Sequence, residues 1–213
     1  EDRDVPGAGR PVTAACERRL RPTDGGNRGR RRDLPRPGGG GCHTLSMVGS
    51  AIDIQRDYRA SIGHFATGVT VVTASGPDGH AGMTTNAVSS LSLDPILLLV
   101  CFDNTSRTLP VVRETRRFAV NVLRAGDEEL AAVFASKRVP GEKFEAVTHN
   151  VDHGVPVLDD ALAWFVCDVH ELLPGGDHTI AVGRVERFDH DPSGEPLLWF
   201  RGGYAHIDPN DLA

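Results

Sequence analysis

A chain of 213 residues with 39% hydrophobic content and a formal net charge of −6 can bury one core, and that core is lean enough to leave part of the chain outside it. No apolar stretch approaches the length of a bilayer span, and no apolar N-terminal core marks a secretory signal, so the expectation is a cytoplasmic protein without a membrane partner. The four cysteines, Cys16, Cys42, Cys101 and Cys167, form no CxxC pair, which favours free thiols over disulfides or a metal centre.

The first 46 residues differ from the rest. They carry ten Arg against six acidic residues, leaving 13 basic and 23 acidic residues for the remainder. Rich in Gly and Pro and without a hydrophobic period, this segment buries too little apolar surface to offset its ordering entropy, and it reads as a disordered tail. The Arg28–Arg32 run suits an acidic partner, but the chain opens without Met and its character changes at Met47. The expectation is a tail that is not native coding sequence (1–46), no nucleic-acid role, and one domain over 47–213.

Beyond Met47, Asp53 is placed to cap a helix that carries Tyr58, Ile62 and Phe65 on one stripe and ends by Gly68. Val69 to Ala74 is a β-branched strand, and Gly76-Pro77-Asp78-Gly79 supplies a hairpin turn. Small polar residues then gather at Gly82, Thr84, Thr85, Asn86, Ser89, Ser90 and Ser92. The apolar run Ile96 to Phe102 follows, predicted as a strand buried on both faces, and then the polar cluster Asp103 to Thr108. Small side chains let a flat ligand approach backbone amides, while hydroxyls and Arg107 suit a phosphate. A Ser/Thr-rich surface loop beside a core strand has the same pattern.

Further elements are a short helix over Thr105 to Glu114, a strand over Phe118 to Leu123 and a helix over Asp127 to Ser136 with acidic residues in its first turn. Gly141 to Pro156 reads as loop. Ala161 to Leu172 and Thr179 to Phe188 form a long antiparallel pair joined through Pro174 to His178, and Leu197 to Phe200 closes the set. At least six strands, three short helices and no βαβ alternation predict a mainly β fold, an antiparallel barrel with helical additions. No GxGxxG follows a strand.

Three groups carry chemistry. Asp177-His178 lies at a Gly-rich hairpin tip, where an acid orients an imidazole or merely solvates a turn. Trp199 to Tyr204 joins aromatic planes to the Arg201 guanidinium, as a stacked anionic heteroaromatic would require, or is an ordinary strand end. His149 and His153, with Asp152 between them, share no helix face and have no third ligand, so no metal is expected. Neither a nucleophile elbow nor a distinguished carboxylate pair supports hydrolysis.

Taken in order, FATGVTVVT (65–73), AGMTTNAVSSLSLDP (81–95), CFDNTSR (101–107), RRFAVNVL (116–123), FASK (134–137), KF (143–144), PVLDDALAWFVCDV (156–169), GDHTIAVGRV (176–185) and LLWFRGGY (197–204) resemble the flavin reductase-like family, over about Tyr58 to Ile207. The resemblance implies an FMN-binding split β-barrel, usually a homodimer with flavin near the subunit interface. It implies an NAD(P)H:flavin oxidoreductase that takes hydride from NADH (or NADPH), delivers it to FMN or FAD, and supplies reduced flavin to a partner monooxygenase. By motif, it assigns the isoalloxazine contacts to His80, Ala81, Gly82, Met83 and Thr84, with Asn86 and Ala87. Cys101, Phe102 and Asp103 would border the ring or ribityl chain; Ser106, Arg107 and Thr108 would bind phosphate; Val133 and Phe134 would close the pocket. His178, the catalytic contact, would face the nicotinamide together with Trp199, Phe200, Arg201 and Gly202. Two rival readings are a pyridoxamine-phosphate-oxidase-like oxidase and a non-catalytic flavin-binding or redox-sensing module. GDHTIAVGRV favours the reductase, because neither rival needs a nicotinamide site.

Overall fold

The computed structural model describes residues 51–139, 141–145 and 147–207; the predicted tail, with its Arg28–Arg32 run, Cys16 and Cys42, lies outside them. Helix α1 (Ala51–Ile62) is followed by β1 (Thr67–Gly68), β2 (Thr70–Gly76), β3 (Gly79–Thr85), β4 (Val88–Leu93) and β5 (Ile96–Asp103). Next come α2 (Thr108–Thr115), β6 (Arg117–Val122), α3 (Glu128–Ala135) and a 3-10 turn (Gly141–Phe144). The chain continues through β7 (His149–Asp152), β8 (Val155–Leu158), β9 (Ala163–Gly175), β10 (His178–His190), β11 (Leu198–Phe200) and β12 (Gly203–Ala205). Among the described residues no helix is long and apolar enough to cross a membrane.

Seven antiparallel strands form one sheet in the order β3-β2-β6-β9-β10-β5-β4. Its edge strands, β3 and β4, are consecutive in the chain and joined only by Asn86-Ala87. Laid flat, seven strands would separate those edges by about 29 Å, whereas a two-residue link reaches about 11 Å. The sheet therefore rolls until its edges meet at this corner. No ladder pairs β3 with β4 among the described residues. The result is the expected split barrel.

The barrel interior holds Val72, Val100, Phe102, Phe118, Val120, Cys167 and Ala181, with Phe102 and Phe118 edge to face at 6.1 Å. Gly183 makes room for this pair, since a Cβ there would lie 2.6 Å from Phe118 Cζ. A second core lies outside β2, where Val69, Val71, Leu123, Phe134, Phe144 and Leu197 pack together under α3. Two-face burial thus belongs to β2, not to Ile96–Phe102 as expected. In β5 only Leu98, Val100 and Phe102 are buried, while Leu97, Leu99 and Cys101 are half-buried and Ile96 is exposed. An apolar run reports what a strand carries, not what covers it.

Other boundaries move for local reasons. Helix α1 already includes Ala51, so Asp53 lies in its first turn instead of capping it, and Phe65 falls beyond its end. Its stripe of Ile54, Tyr58 and Ile62 is exposed. α2 starts at Thr108, not Thr105, because Ser106 Oγ accepts the N–H groups of Thr108 (3.1 Å) and Leu109 (3.4 Å). Pro110 then sits in the first turn, where a missing N–H leaves no bond unmade. The stretch predicted as loop, 141–156, contains the 3-10 turn, β7 and the start of β8. Asn121, fully buried, pins β8: its Nδ2 donates to Val71 O (3.0 Å) and its Oδ1 accepts Leu158 N–H (2.9 Å). The β9–β10 hairpin extends further than predicted and turns on Gly176-Asp177. Pro174 is tolerated inside β9 because β6 pairs only with Ala163 to Asp168, leaving Pro174 at a free edge.

Candidate active site

A cavity of ≈500 Å³ opens between the end of β3, the β5–α2 loop and the C-terminal end of α3. Gly82, Met83 and Thr84 line one side, Asp103 and Thr105 to Thr108 the second, and Phe134 to Arg138 with Lys143 the third. Two side chains fasten these walls. Thr84 Oγ1 donates to Ala131 O at 2.6 Å, and Lys143 Nζ donates to Gly82 O (3.2 Å) and Phe134 O (2.8 Å). Glycine at 82 is required by the wall itself: a Cβ would stand 2.6 Å from Phe134 Cε1, whose ring packs edge to face on Phe144 at 5.1 Å.

The lining is strongly cationic. Arg107, Lys137, Arg138 and Lys143 all border it, against Asp103 as the sole carboxylate among the described lining residues. Asp103 is already engaged, since its Oδ1 accepts the Thr105 hydroxyl and N–H, both at 2.7 Å. Those bonds hold its carboxyl below the ordinary range. No ion pair among the described residues involves Arg107, Lys137, Arg138 or Lys143. Lys143 is 7% exposed and bonded to carbonyls alone; burial first, then the charge of Arg107, pulls its pKa below that of an ordinary lysine. Cations gathered without counter-ions, beside the N-terminus of α2, fit a phosphate-bearing ligand.

Of the residues singled out from sequence, Gly82, Met83, Thr84, Asp103, Ser106, Arg107, Thr108 and Phe134 line this cavity. Asn86 borders an adjoining one of ≈260 Å³ with Trp199 and Tyr204, and Thr84 and Ala135 belong to both. His80 lines a third, of ≈320 Å³, which shares Arg107 with the first. Its Nδ1 meets Ser75 Oγ at 2.7 Å, and burial, then His149 with its ring 5.2 Å away, lowers its pKa. Ala81 is buried in β3, and Ala87 O accepts Cys101 N–H at 3.0 Å. Three other residues assigned by motif line none of these cavities. Phe102 is fully buried in the barrel interior, so only its backbone is available to a ligand. Cys101 lies on the outer face of β5, the face that also carries Asp103. Val133 lines none of these cavities; its carbonyl accepts the Ser136 hydroxyl at 2.6 Å.

His178 opens β10 opposite Asp103 in the ladder, and its Nδ1 lies 2.7 Å from Asp177 Oδ1. Trp199 packs edge to face on Tyr204 at 5.2 Å in a separate sheet. Within one chain, His178 and Trp199 stand in different sheets. Phe200 ends β11 and Arg201-Gly202 forms the β11–β12 turn, where the Arg201 guanidinium lies 5.0 Å over the Phe200 ring and the Arg201 backbone N–H donates to Gly63 O at 2.7 Å. None of the three lines the cavities above. Lys143, Lys137 and Arg138 are functional candidates that sequence reasoning left without a role, although FASK and KF contain two of them. The available signal was a cluster of cations in an otherwise acidic domain.

The family model described as "Flavin reductase like domain" matches residues 62–208. The chain belongs to this family. It is 42% identical over 151 residues to a probable flavin reductase of Rhizobium meliloti, covering 70% of this chain and 48% of that protein. It is 38% identical to a flavin reductase of Pseudomonas putida, covering 75% and 93%. FMN reductase (NADH) SmoA of Agrobacterium fabrum is 41% identical, with coverage of 71% and 86%. The chain thus spans about half the length of the first relative and most of the other two. Among solved structures, nitrilotriacetate monooxygenase component B from Mycobacterium thermoresistibile matches with a TM-score of 0.72 at 33% identity, covering 76% of this chain and 90% of that one. The Streptomyces globisporus NADH:FAD oxidoreductase SgcE6, in complex with NAD and FAD fragments, matches with a TM-score of 0.70 at 35% identity, covering 74% and 95%.

Proposed function

We propose that this member of the flavin reductase-like family is an NADH-dependent flavin reductase that passes reduced FMN or FAD to a partner monooxygenase in the cytoplasm. The observation that carries the reading is the cavity beside Gly82 to Thr84, with four cations and one engaged carboxylate. When bound, flavin supplies the hydride acceptor. Arg107, Lys143, Ser106 and Thr108 would hold its phosphate, while Lys137 and Arg138 would be available to the second phosphate of FAD. The backbone from Gly82 to Thr84, with Asn86 and Trp199 in the adjoining cavity, would take its ring. His178, held by Asp177 and paired with Asp103 in the ladder, would orient the nicotinamide. Positioning of this kind can contribute several kcal/mol of barrier lowering, and the step requires no protein base.

The homodimer implied by the resemblance is supported by apolar surface that one chain leaves open: the α1 stripe, the outer face of β5, and Leu93, which is 86% exposed. Sedimentation of the purified chain tests this, and a monomer at micromolar concentration refutes it. On composition, residues 47–213 carry the activity; a chain starting at Met47 keeps the melting temperature and NADH oxidation rate of the full chain, and loss of either refutes this. The decisive experiment for function mixes protein, NADH and FMN or FAD and follows nicotinamide absorbance. Flavin-dependent loss of that absorbance is expected. Flavin binding without NADH oxidation would instead identify a binding module, and oxygen-dependent oxidation of pyridoxamine phosphate an oxidase.

A further inference from the structure

The hairpin tip that carries His178 is an exposed two-residue turn, and a turn of that kind does not hold an imidazole in place unaided. The structure shows what braces it. Asn104, in the β5–α2 loop, donates its N–H to Asp177 O (3.0 Å) and its Nδ2–H to Gly176 O (3.4 Å). Its Oδ1 accepts the Thr179 hydroxyl at 2.6 Å, and Thr179 Oγ1 in turn accepts from Arg113 Nη2 on α2 at 3.0 Å. Asn104 therefore touches residues on both sides of His178, from a loop whose next residues, Thr105 to Thr108, line the large cavity. Thr179 is buried, so its hydroxyl has no water to exchange for this partner.

From this juxtaposition we infer that Asn104, together with Thr179, is a positioning residue for the nicotinamide step: it locks the Gly176–His178 turn to the loop at the phosphate end of the cavity. This rests on the reading of His178 as the nicotinamide contact. Neither residue lines the cavity, so each acts through His178 and not on the flavin. The flavin end of the site is thereby linked to the nicotinamide end by side-chain hydrogen bonds in addition to the barrel.

The test is steady-state NADH kinetics at saturating FMN, with FMN affinity measured separately by fluorescence. Asn104→Ala raises the KM for NADH about fivefold, the scale of one lost hydrogen bond, while kcat and FMN Kd stay within about twofold. Thr179→Val, which keeps shape and removes the hydroxyl, shows the same KM increase, and Thr179→Ser retains the wild-type KM. In a His178→Ala background the Asn104→Ala change adds nothing. Wild-type KM in both Asn104→Ala and Thr179→Val, or an undiminished effect of Asn104→Ala in the His178→Ala background, overturns the positioning role alone. FMN affinity lost in step with KM does the same, by placing Asn104 in the flavin site. Wild-type NADH kinetics in His178→Ala overturns the reading of His178 and this inference with it.

Discussion

The wall of the large cavity makes a quantitative prediction at Gly82. In Gly82→Ala the added Cβ would stand 2.6 and 2.8 Å from two carbons of the Phe134 ring and 3.3 Å from Phe144 Cζ. Comfortable carbon contacts begin near about 3.5 Å, so the Phe134 ring must withdraw by roughly 1 Å. Phe134 is 1% exposed and packs edge to face on Phe144, so its ring can give way only toward the cavity that it lines. Overpacking of this sort costs about 1–3 kcal/mol. For a domain of this size that lowers Tm by roughly 2–12 °C. The same displacement disturbs both carbonyl anchors of Lys143, Gly82 O and Phe134 O, so flavin binding weakens as well. Thermal melts and flavin-fluorescence titration read the two effects. Gly82→Ala/Phe134→Leu, which frees space where the Cβ intrudes, recovers part of the lost Tm. A Tm equal to wild type in the single variant, or a double variant no better than the sum of the two changes, refutes the argument.

Three other outcomes are expected. Arg107→Ala weakens flavin binding by about 1.5–3 kcal/mol, roughly 10- to 150-fold, with turnover at saturating flavin retained; an unchanged Kd would make Arg107 a solvated loop residue. Asn121→Leu leaves Leu158 N–H without its partner and Val71 O with one fewer donor, each worth about 1–3 kcal/mol, and chemical denaturation measures the loss. Cys167 is buried deeply enough to push its thiol up to about 12 from 9.0. A folded-state pKa raised above the unfolded value stabilises fully below the unfolded pKa, and that stability declines as pH rises from about 9 toward 12. Cys167→Ala should therefore show a shallower alkaline fall in Tm than wild type, and parallel curves would contradict this.

Much of this architecture was legible in the sequence, for identifiable reasons. β2, β6 and the β9–β10 hairpin announce themselves through β-branched runs and a Gly-rich turn. α3 shows an acidic first turn followed by Ala, Leu, Val and Phe. β4 did not, because Val88-Ser89-Ser90-Leu91-Ser92-Leu93 reads as a hydroxyl-rich loop until β5 pairs with it. β7 and β8, four residues each, are too short to establish a period. At the site, the two polar segments around Thr84 and Ser106 were visible as clusters of small hydrogen-bonding residues. Lys143 was not, because only the fold brings it to a carbonyl 61 residues away. That His178 and Trp199 stand in different sheets was hidden for a related reason: motif order says nothing about which sheet a strand joins.

The two-residue corner at Asn86-Ala87 also constrains how the molecule is made. It places the β2–β3 hairpin at one end of the sheet order and the β4–β5 hairpin at the other, although the four strands are consecutive in the chain. Only β6, β9 and β10 connect them, and β9 and β10 are synthesised last of the seven. A nascent chain that has emerged only as far as α3 holds two hairpins with no ladder between them, and β5 lacks its β10 neighbour. Closure is therefore a late, non-local event on the ribosome. Arrested chains should stay protease-sensitive until His190 has cleared the exit tunnel, and protection at earlier arrest points would contradict this order.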